Sequence, residues 1–527
     1  MSADLERIEQ IIDTAGVAVE IELLLPVGVR PRQLSARTLL LAMTISMLAG
    51  RDALLTSVHN TLSGLPEHDR RRLGVIVEWK HGPHTLTYRQ LEYTYRLIVK
   101  KLSEDQPDGS PSEILSALLD RLLEASVQVL GEPSSSSYAV DWTDLEAWAR
   151  PPPKPRPGPH TTTSETTTSD SDSDDGGVRR CADPEAAWGH RNSNHPARNE
   201  LFFGYYLQAL TTVTDEHGPQ VPELARRILL ASCAHDPPAQ LVPVIKRMVS
   251  DGIAVGDLLA DSGYAYRKPA TWALPLRALG IDLVQDLHPQ DRGPRGTHMG
   301  ATCCNGNLYC PATPEKLLGL GPLARGASIE QAATHDQQSA ELAKHKLSAI
   351  TGYDRDGYRR VKCPAAQGKL RCPLRPSSMA LPYTRPTIQT PPEHPPACCT
   401  QQTITVPPSV NAKTAQKHDY PSAAHRSSYN RRTAAERTFA TITDRATNDL
   451  SRGWCRLTRL TPIALFTATA LTARNIRVAD AFNTRQAENQ RRANLGLPPK
   501  QRKRRRHTVE DLAAAANAPP QPAALAA

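Results

Sequence analysis

Aromatic residues are scarce, at 5% of 527 positions, and hydrophobic residues reach only 39%. With 45 prolines as well, these figures exclude a chain that is packed core throughout, so sizeable parts should lie outside any globule. A run of the ~20 apolar residues that a spanning helix needs is also missing. The stretch "LLLAMTISMLAG" near the start is much shorter and reads as a buried helix. No signal peptide is recognisable, and a soluble, cytoplasmic protein with no membrane partner is expected.

Acids are rare in one region. Residues 401–507 hold 21 Lys and Arg against 6 Asp and Glu, whereas the rest of the chain holds 42 against 48. The formal net charge of +9 conceals this asymmetry. A basic region ending in "KQRKRRRH", with Arg504 and Arg505, suits a polyanion, because neutralising phosphates dominates non-specific nucleic-acid binding. A solvated tail is the plain alternative for its last residues. Cysteine is not scarce: there are 10. In an intracellular chain they argue for free thiols or a metal site over a disulfide framework.

The pattern along the chain suggests an order of parts. Residues 1–130 show helical apolar spacing, with Ser112 a candidate cap and Gly50 a candidate stop. Residues 131–150 contain "SSSSYAVDWTDLEAWAR", which supplies a first strand. Residues 151–182 are proline-rich, then acidic, and read as a disordered linker. From 183 to 288, strand and helix patterns alternate, as in a mixed α/β domain with a central sheet. "NELFFGYYLQALTTVTDEHG" suggests two strand-like stretches and a turn at Asp215–Gly218. Residues 289–425 bear Pro, Cys and His with little periodicity, except for one helix in "IEQAATHDQQSAELAKHKLSAI", and read as an insertion. Residues 426–485 return to helix, and 486–527 form a basic tail. Cysteines of the insertion occur as CC, C-x5-C and C-x8-C. These match no strong zinc spacing, so unpaired thiols in a loose loop are the expected state and structural Zn2+ the second choice.

Three acids stand where chemistry could use them. Asp141 closes "YAVD", Asp261 closes "DLLAD", and Glu436 lies on a late helix. Open α/β sheets bind ligands beyond the carboxyl ends of their strands. Two acids leaving strands can meet there and a packed helix can add a third. Converging carboxylates suit Mg2+, which prefers oxygen ligands and retains water. Each acid also has a plainer explanation. "TDLE" fits a capping box that would start a helix just after Asp141. Asp261 could cap a turn before Gly263, and Glu436 could pair with Arg432 or Arg437. Asp215 is a rival first acid, and Asp236 beside His235 reads as structural.

These residues resemble a family. "ADSGY" is similar to the D-x-G-Y element around the second acid of bacterial insertion-sequence DDE transposases, and "AVDWTDLEAW" to the segment around their first. "YNRRTAAERTF" resembles the signature Y-x2-R-x3-E-x6-K of one branch: Tyr429, Arg432 and Glu436 fit, whereas the lysine position holds Thr443. "FFGYYLQAL" and "AHD" resemble the segments between the first two acids. On a helix, Tyr429, Arg432 and Glu436 share one face. The resemblance covers roughly residues 135–480. It implies an RNase H-like domain in which Asp141, Asp261 and Glu436 bind two Mg2+ (or Mn2+) ions. It implies cutting and joining of DNA at terminal inverted repeats and target DNA by a homodimer. Tyr429, Arg432, Arg437, Arg504 and Arg505 would contact DNA, and the protein would be nucleoid-associated. An inactive or domesticated DNA-binding relative and another RNase H-like nuclease are the alternatives.

Overall fold

The computed structural model describes residues 2–26, 32–103, 110–152, 181–191, 200–444, 447–451 and 455–500. Most of the proline-rich and acidic linker, and the tail from 501 with Arg504 and Arg505, lie outside the described residues. The chain divides into two units, 1–479 and 480–527.

The first part of the chain is helical: α1 (Ser2–Ala15), α2 (Val17–Leu24), α3 (Ala36–Leu48), α4 (Leu55–Ser63), α5 (Glu67–Arg72), α6 (Tyr88–Leu102) and α7 (Glu113–Leu130). A hairpin not expected from the sequence, β1 (Ile76–Trp79) and β2 (Gly82–Thr85), separates α5 from α6. Ser35, Thr87 and Ser112 cap α3, α6 and α7 by accepting a backbone N–H three residues on, which satisfies donors the helix leaves free.

Strands β3 (Ser137–Glu146), β4 (Ala187–Arg191), β5 (Glu200–Val213), β6 (Ala225–Ser232), β7 (Asp257–Ala260) and β8 (Asp282–Gln285) form one mixed sheet. β3 pairs antiparallel with β5 and parallel with β7, which pairs parallel with β8. β4 and β6 pair antiparallel with β5. The expected mixed α/β class with a central sheet is therefore present. Details differ from the sequence pattern. "ELFFGYYLQALTTV" is one strand of 14 residues, with the turn after it. β3 continues past Asp141 to Glu146, so "TDLE" is strand and starts no helix. Asp144 and Glu146 instead pair with Arg191.

Alternation along β3 sorts its side chains onto two faces. Tyr138 and Val140 join Leu241, Ile245 and Leu276 from α8 (Pro237–Ser250) and, beyond α9 (Ser262–Ala265), from α10 (Ala273–Ala278). Ala139 packs on the other face with Leu259, Val284, Ala434 and Ala435. Asp141 follows Ala139 onto that second face.

Residues 289–425 are not a loose loop. They form β9 (Pro294–His298), β10 (Ala301–Cys304) and β11 (Asn307–Tyr309), then α11 (Glu315–Leu318), α12 (Ile329–Lys344), β12 (Ser348–Ala349), β13 (Arg359–Lys362), α13 (Ala397–Thr400) and β14 (Ile404–Val406). The strands make two small antiparallel sheets. Their cores draw on buried cysteines where large apolar side chains are few. After them α14 (Ala423–Tyr429) continues through a 3-10 turn at Asn430–Arg432 into α15 (Thr433–Ile442). The chain then enters α16 (Leu460–Asn494), whose segment 460–476 shares one apolar core with the N-terminal helices and β5. Among the described residues no helix is long and apolar enough to cross a membrane.

Candidate active site

β7 is four fully buried residues, and the chain turns sharply as it leaves the sheet. Asp261 takes that turn by capping α9. Its Oδ1 accepts the Gly263 N–H at 2.9 Å and the Tyr264 N–H at 3.3 Å. Gly263 is needed for space, because a Cβ there would stand 2.4 Å from the Trp142 ring. Tyr264 packs between Trp142 and Trp272, with ring centroids 4.6 and 4.7 Å away. Its buried hydroxyl donates to Gln208 Oε1 at 2.9 Å. Each position of "DSGY" except Ser262 thus has a local physical reason.

Sheet register aligns the acids. Ala139 of β3 lies opposite Leu259 of β7, so Asp141 draws level with Asp261 two residues on. Ala260 lies opposite Gln285 of β8, which adds Asp286 to the same row. Asp286 accepts the Tyr420 hydroxyl at 2.8 Å and stands 3.3 Å from Arg292. Sequence reasoning missed it. The signal was present, since "DLVQD" ends in an acid just as "DLLAD" does.

The helix run 423–442 lies across this row. Ala434 and Ala435 are small enough to bring it close to the sheet. Arg432 reaches Asp141 Oδ2 at 2.7 Å with one nitrogen and Glu436 with the other. Its guanidinium stands 5.6 Å from the Tyr429 ring centroid, and Tyr429 stacks on His425 at 5.6 Å and 13°. Asp141 and Glu436 are therefore linked, but through Arg432, whose charge also acts on Asp261. Glu436 keeps 54% of its side chain exposed. Among the described residues no three His, Cys, Asp or Glu side chains stand at metal-holding spacing. Thr443 ends α15, with its hydroxyl on the Phe439 carbonyl at 3.0 Å.

Burial and the charge of Asp261 push the Asp141 carboxyl up to about 6, against the pull of Arg432. Asp261 is raised as well, chiefly by burial and further by Asp286, while Arg432 and the amides of Tyr264 and Gly263 oppose the shift. Burial works against the Arg432 charge, yet Tyr429, Asp141, Glu436 and Asp261 together outweigh it and hold the group cationic. Crowded carboxylates with raised pKa values, facing a single cation, make a strongly negative place that favours positive charge.

The remaining candidates are structural partners. Asp215 accepts hydrogen bonds from Ser135, Ser136 and Ser137. Asp236 pairs with Arg267 at 2.9 Å. Arg437 pairs with Glu223 at 2.8 Å, and Arg431 with Asp257 at 2.7 Å.

Compared with known proteins, the chain matches no family model, no curated protein and no solved structure.

Proposed function

We propose that the chain is a DDE-type DNA transposase with an RNase H-like catalytic fold, cutting and joining DNA at the ends of an insertion sequence. The observation that carries this is the row formed by Asp141 and Asp261 on adjacent parallel strands, crossed by the helix that bears Arg432 and Glu436. Asp261 raises the Asp141 carboxyl and Asp286 that of Asp261, and oxygen-seeking Mg2+ or Mn2+ would relieve that crowding of negative charge. Asp141 and Asp261 would hold them with Glu436, and two ions there would activate the attacking oxygen and stabilise the leaving one.

The chain's own groups have separate tasks. Arg432 neutralises the carboxylates while they face each other, and its planar fork can move to a phosphate oxygen when DNA arrives. Tyr429 offers a ring on which a base at the DNA end can stack. The amides of Gly263 and Tyr264 fix the orientation of Asp261. A homodimer holding paired inverted repeats belongs to the same proposal.

A second reading, a DNA-binding protein that no longer cuts, is favoured by one observation: Arg432 bridges Asp141 and Glu436 where a cation would sit. Thr443 in place of the family lysine points the same way. A labelled DNA carrying the flanking inverted repeat distinguishes the two, using Mg2+ or Mn2+ with wild type and Glu436→Gln. Metal-dependent nicking at the repeat boundary, lost in the variant while binding persists, is expected. Binding without cutting by the wild type would establish the second reading.

A further inference from the structure

Seven of the ten cysteines lie between 303 and 399, and all seven are buried and free. Four of them come from separate elements to one place. Cys310 follows β11, Cys363 follows β13, Cys372 follows a bridge at Arg371, and Cys399 lies in α13. Backbone pairing draws these ends together: Tyr309 bridges to Lys346, and Ser348 pairs with Lys362. Cys363 and Cys372 share one small cluster against which Ala312, two residues after Cys310, packs, and Leu374 packs on both this cluster and the one that holds Cys399.

Local geometry at three of them is alike. Cys310, Cys363 and Cys372 are each followed by proline. In each case a turn closes back onto the cysteine carbonyl, from Thr313 N–H at 3.0 Å, Gln367 N–H at 3.1 Å and Arg375 N–H at 2.9 Å. Burial raises the Cys310 and Cys372 thiols overall, while the backbone amide of Ala312 and those of Leu374 and Arg375 act against the rise. Amides aimed at sulfur stabilise the thiolate, the form that ligates a metal.

We propose that Cys310, Cys363, Cys372 and Cys399 bind one structural Zn2+. Four thiolates from separate turns are a tetrahedral donor set for this ion. Among the described residues no such group stands at metal-holding spacing, so binding draws the sulfurs inward to ~2.3 Å from the ion. Four thiols give up four protons in the process, making affinity steeply pH-dependent, and Arg375, whose N–H holds the Cys372 carbonyl, brings a positive charge to offset part of the resulting negative charge. The benefit to the fold is direct. The apolar cluster around Cys363 and Cys372 has only Ala365, Leu370 and Ile388 as its other buried members, too few to hold a segment by hydrophobic burial alone.

Metal analysis of the full chain, expressed with zinc and purified through a chelator wash, tests the assignment. One zinc per chain is expected, lost in Cys372→Ser and kept in Cys181→Ser, whose sulfur lies outside this cluster. Alkylation of the wild type followed by peptide mapping gives a readout that does not depend on the variant folding. Zinc should shield Cys310, Cys363, Cys372 and Cys399, and a zinc-stripping reagent should expose them together. Substoichiometric zinc in the wild type, iron in its place, full zinc in Cys372→Ser, or unshielded thiols would each overturn the proposal.

Discussion

Asp141 owes its chemistry to its surroundings rather than to its own residue type. Burial and Asp261 raise its carboxyl, and Arg432 restrains the rise. A carboxyl with a raised folded pKa contributes stability that is whole below its unfolded pKa, near 3.8, and is lost as pH rises through about 6. A shift of about two units corresponds to on the order of 3 kcal/mol. In metal-free buffer, thermal melts of wild type and Asp141→Asn should therefore diverge in favour of the variant between pH 4 and pH 7.5. Adding Mg2+ at the higher pH should restore the wild type alone. An unchanging gap across that range would contradict the assigned environment. At this scale the sequence was legible where a motif forced it. Asp261, Gly263 and Tyr264 form a local turn that the chain dictates by itself. Asp286 was not legible, because its place in the row depends on the register between two strands.

At the scale of elements, the helix run 423–442 carries the account. Its distance from the sheet is set by Ala434 and Ala435 against Ala139 and Val213. Ala435→Leu would overfill this contact and cost about 1–3 kcal/mol. It would also lift Arg432 and Glu436 away from Asp141. Loss of DNA cleavage out of proportion to the fall in melting temperature is the expected result; full cleavage with normal stability would show that the spacing does not matter. Helical spacing of Tyr429, Arg432 and Glu436 announced this face correctly. The extent of β3 did not show in the sequence, since "TDLE" satisfies both a strand with paired acids and a helix start, and the ladder that pairs Thr143–Glu146 with Gly204–Leu207 of β5 decides between them. The insertion was misread for a related reason: its strands are two to five residues long and hold together through cysteines and turns, which leave no periodicity.

For the whole molecule, the basic surplus after residue 400 is not a free basic face. Arg426, Arg431, Arg432 and Arg437 are matched to Asp336, Asp257, Asp141 and Glu223. Much of the charge that looked made for phosphate joins the late helices to the sheet and the insertion. The run "RKRRR" near the C-terminus lies outside the described residues. Removing 501–527 should weaken non-specific DNA binding and lower the slope of log affinity against log salt by up to about 4.5, given five basic residues at ~0.9 per phosphate contact. An unchanged slope in a salt titration would place the DNA contacts elsewhere on the chain.

The central claim is that the carboxylates of Asp141 and Asp261 hold a divalent cation, and calorimetric titration of Mn2+ into the full chain at pH 7.5 tests it most directly. Saturable binding is predicted for the wild type, lost in Asp261→Asn and weakening about tenfold per pH unit below 6, as displacement of one proton requires. No saturable binding, or the same binding in Asp261→Asn, would contradict it.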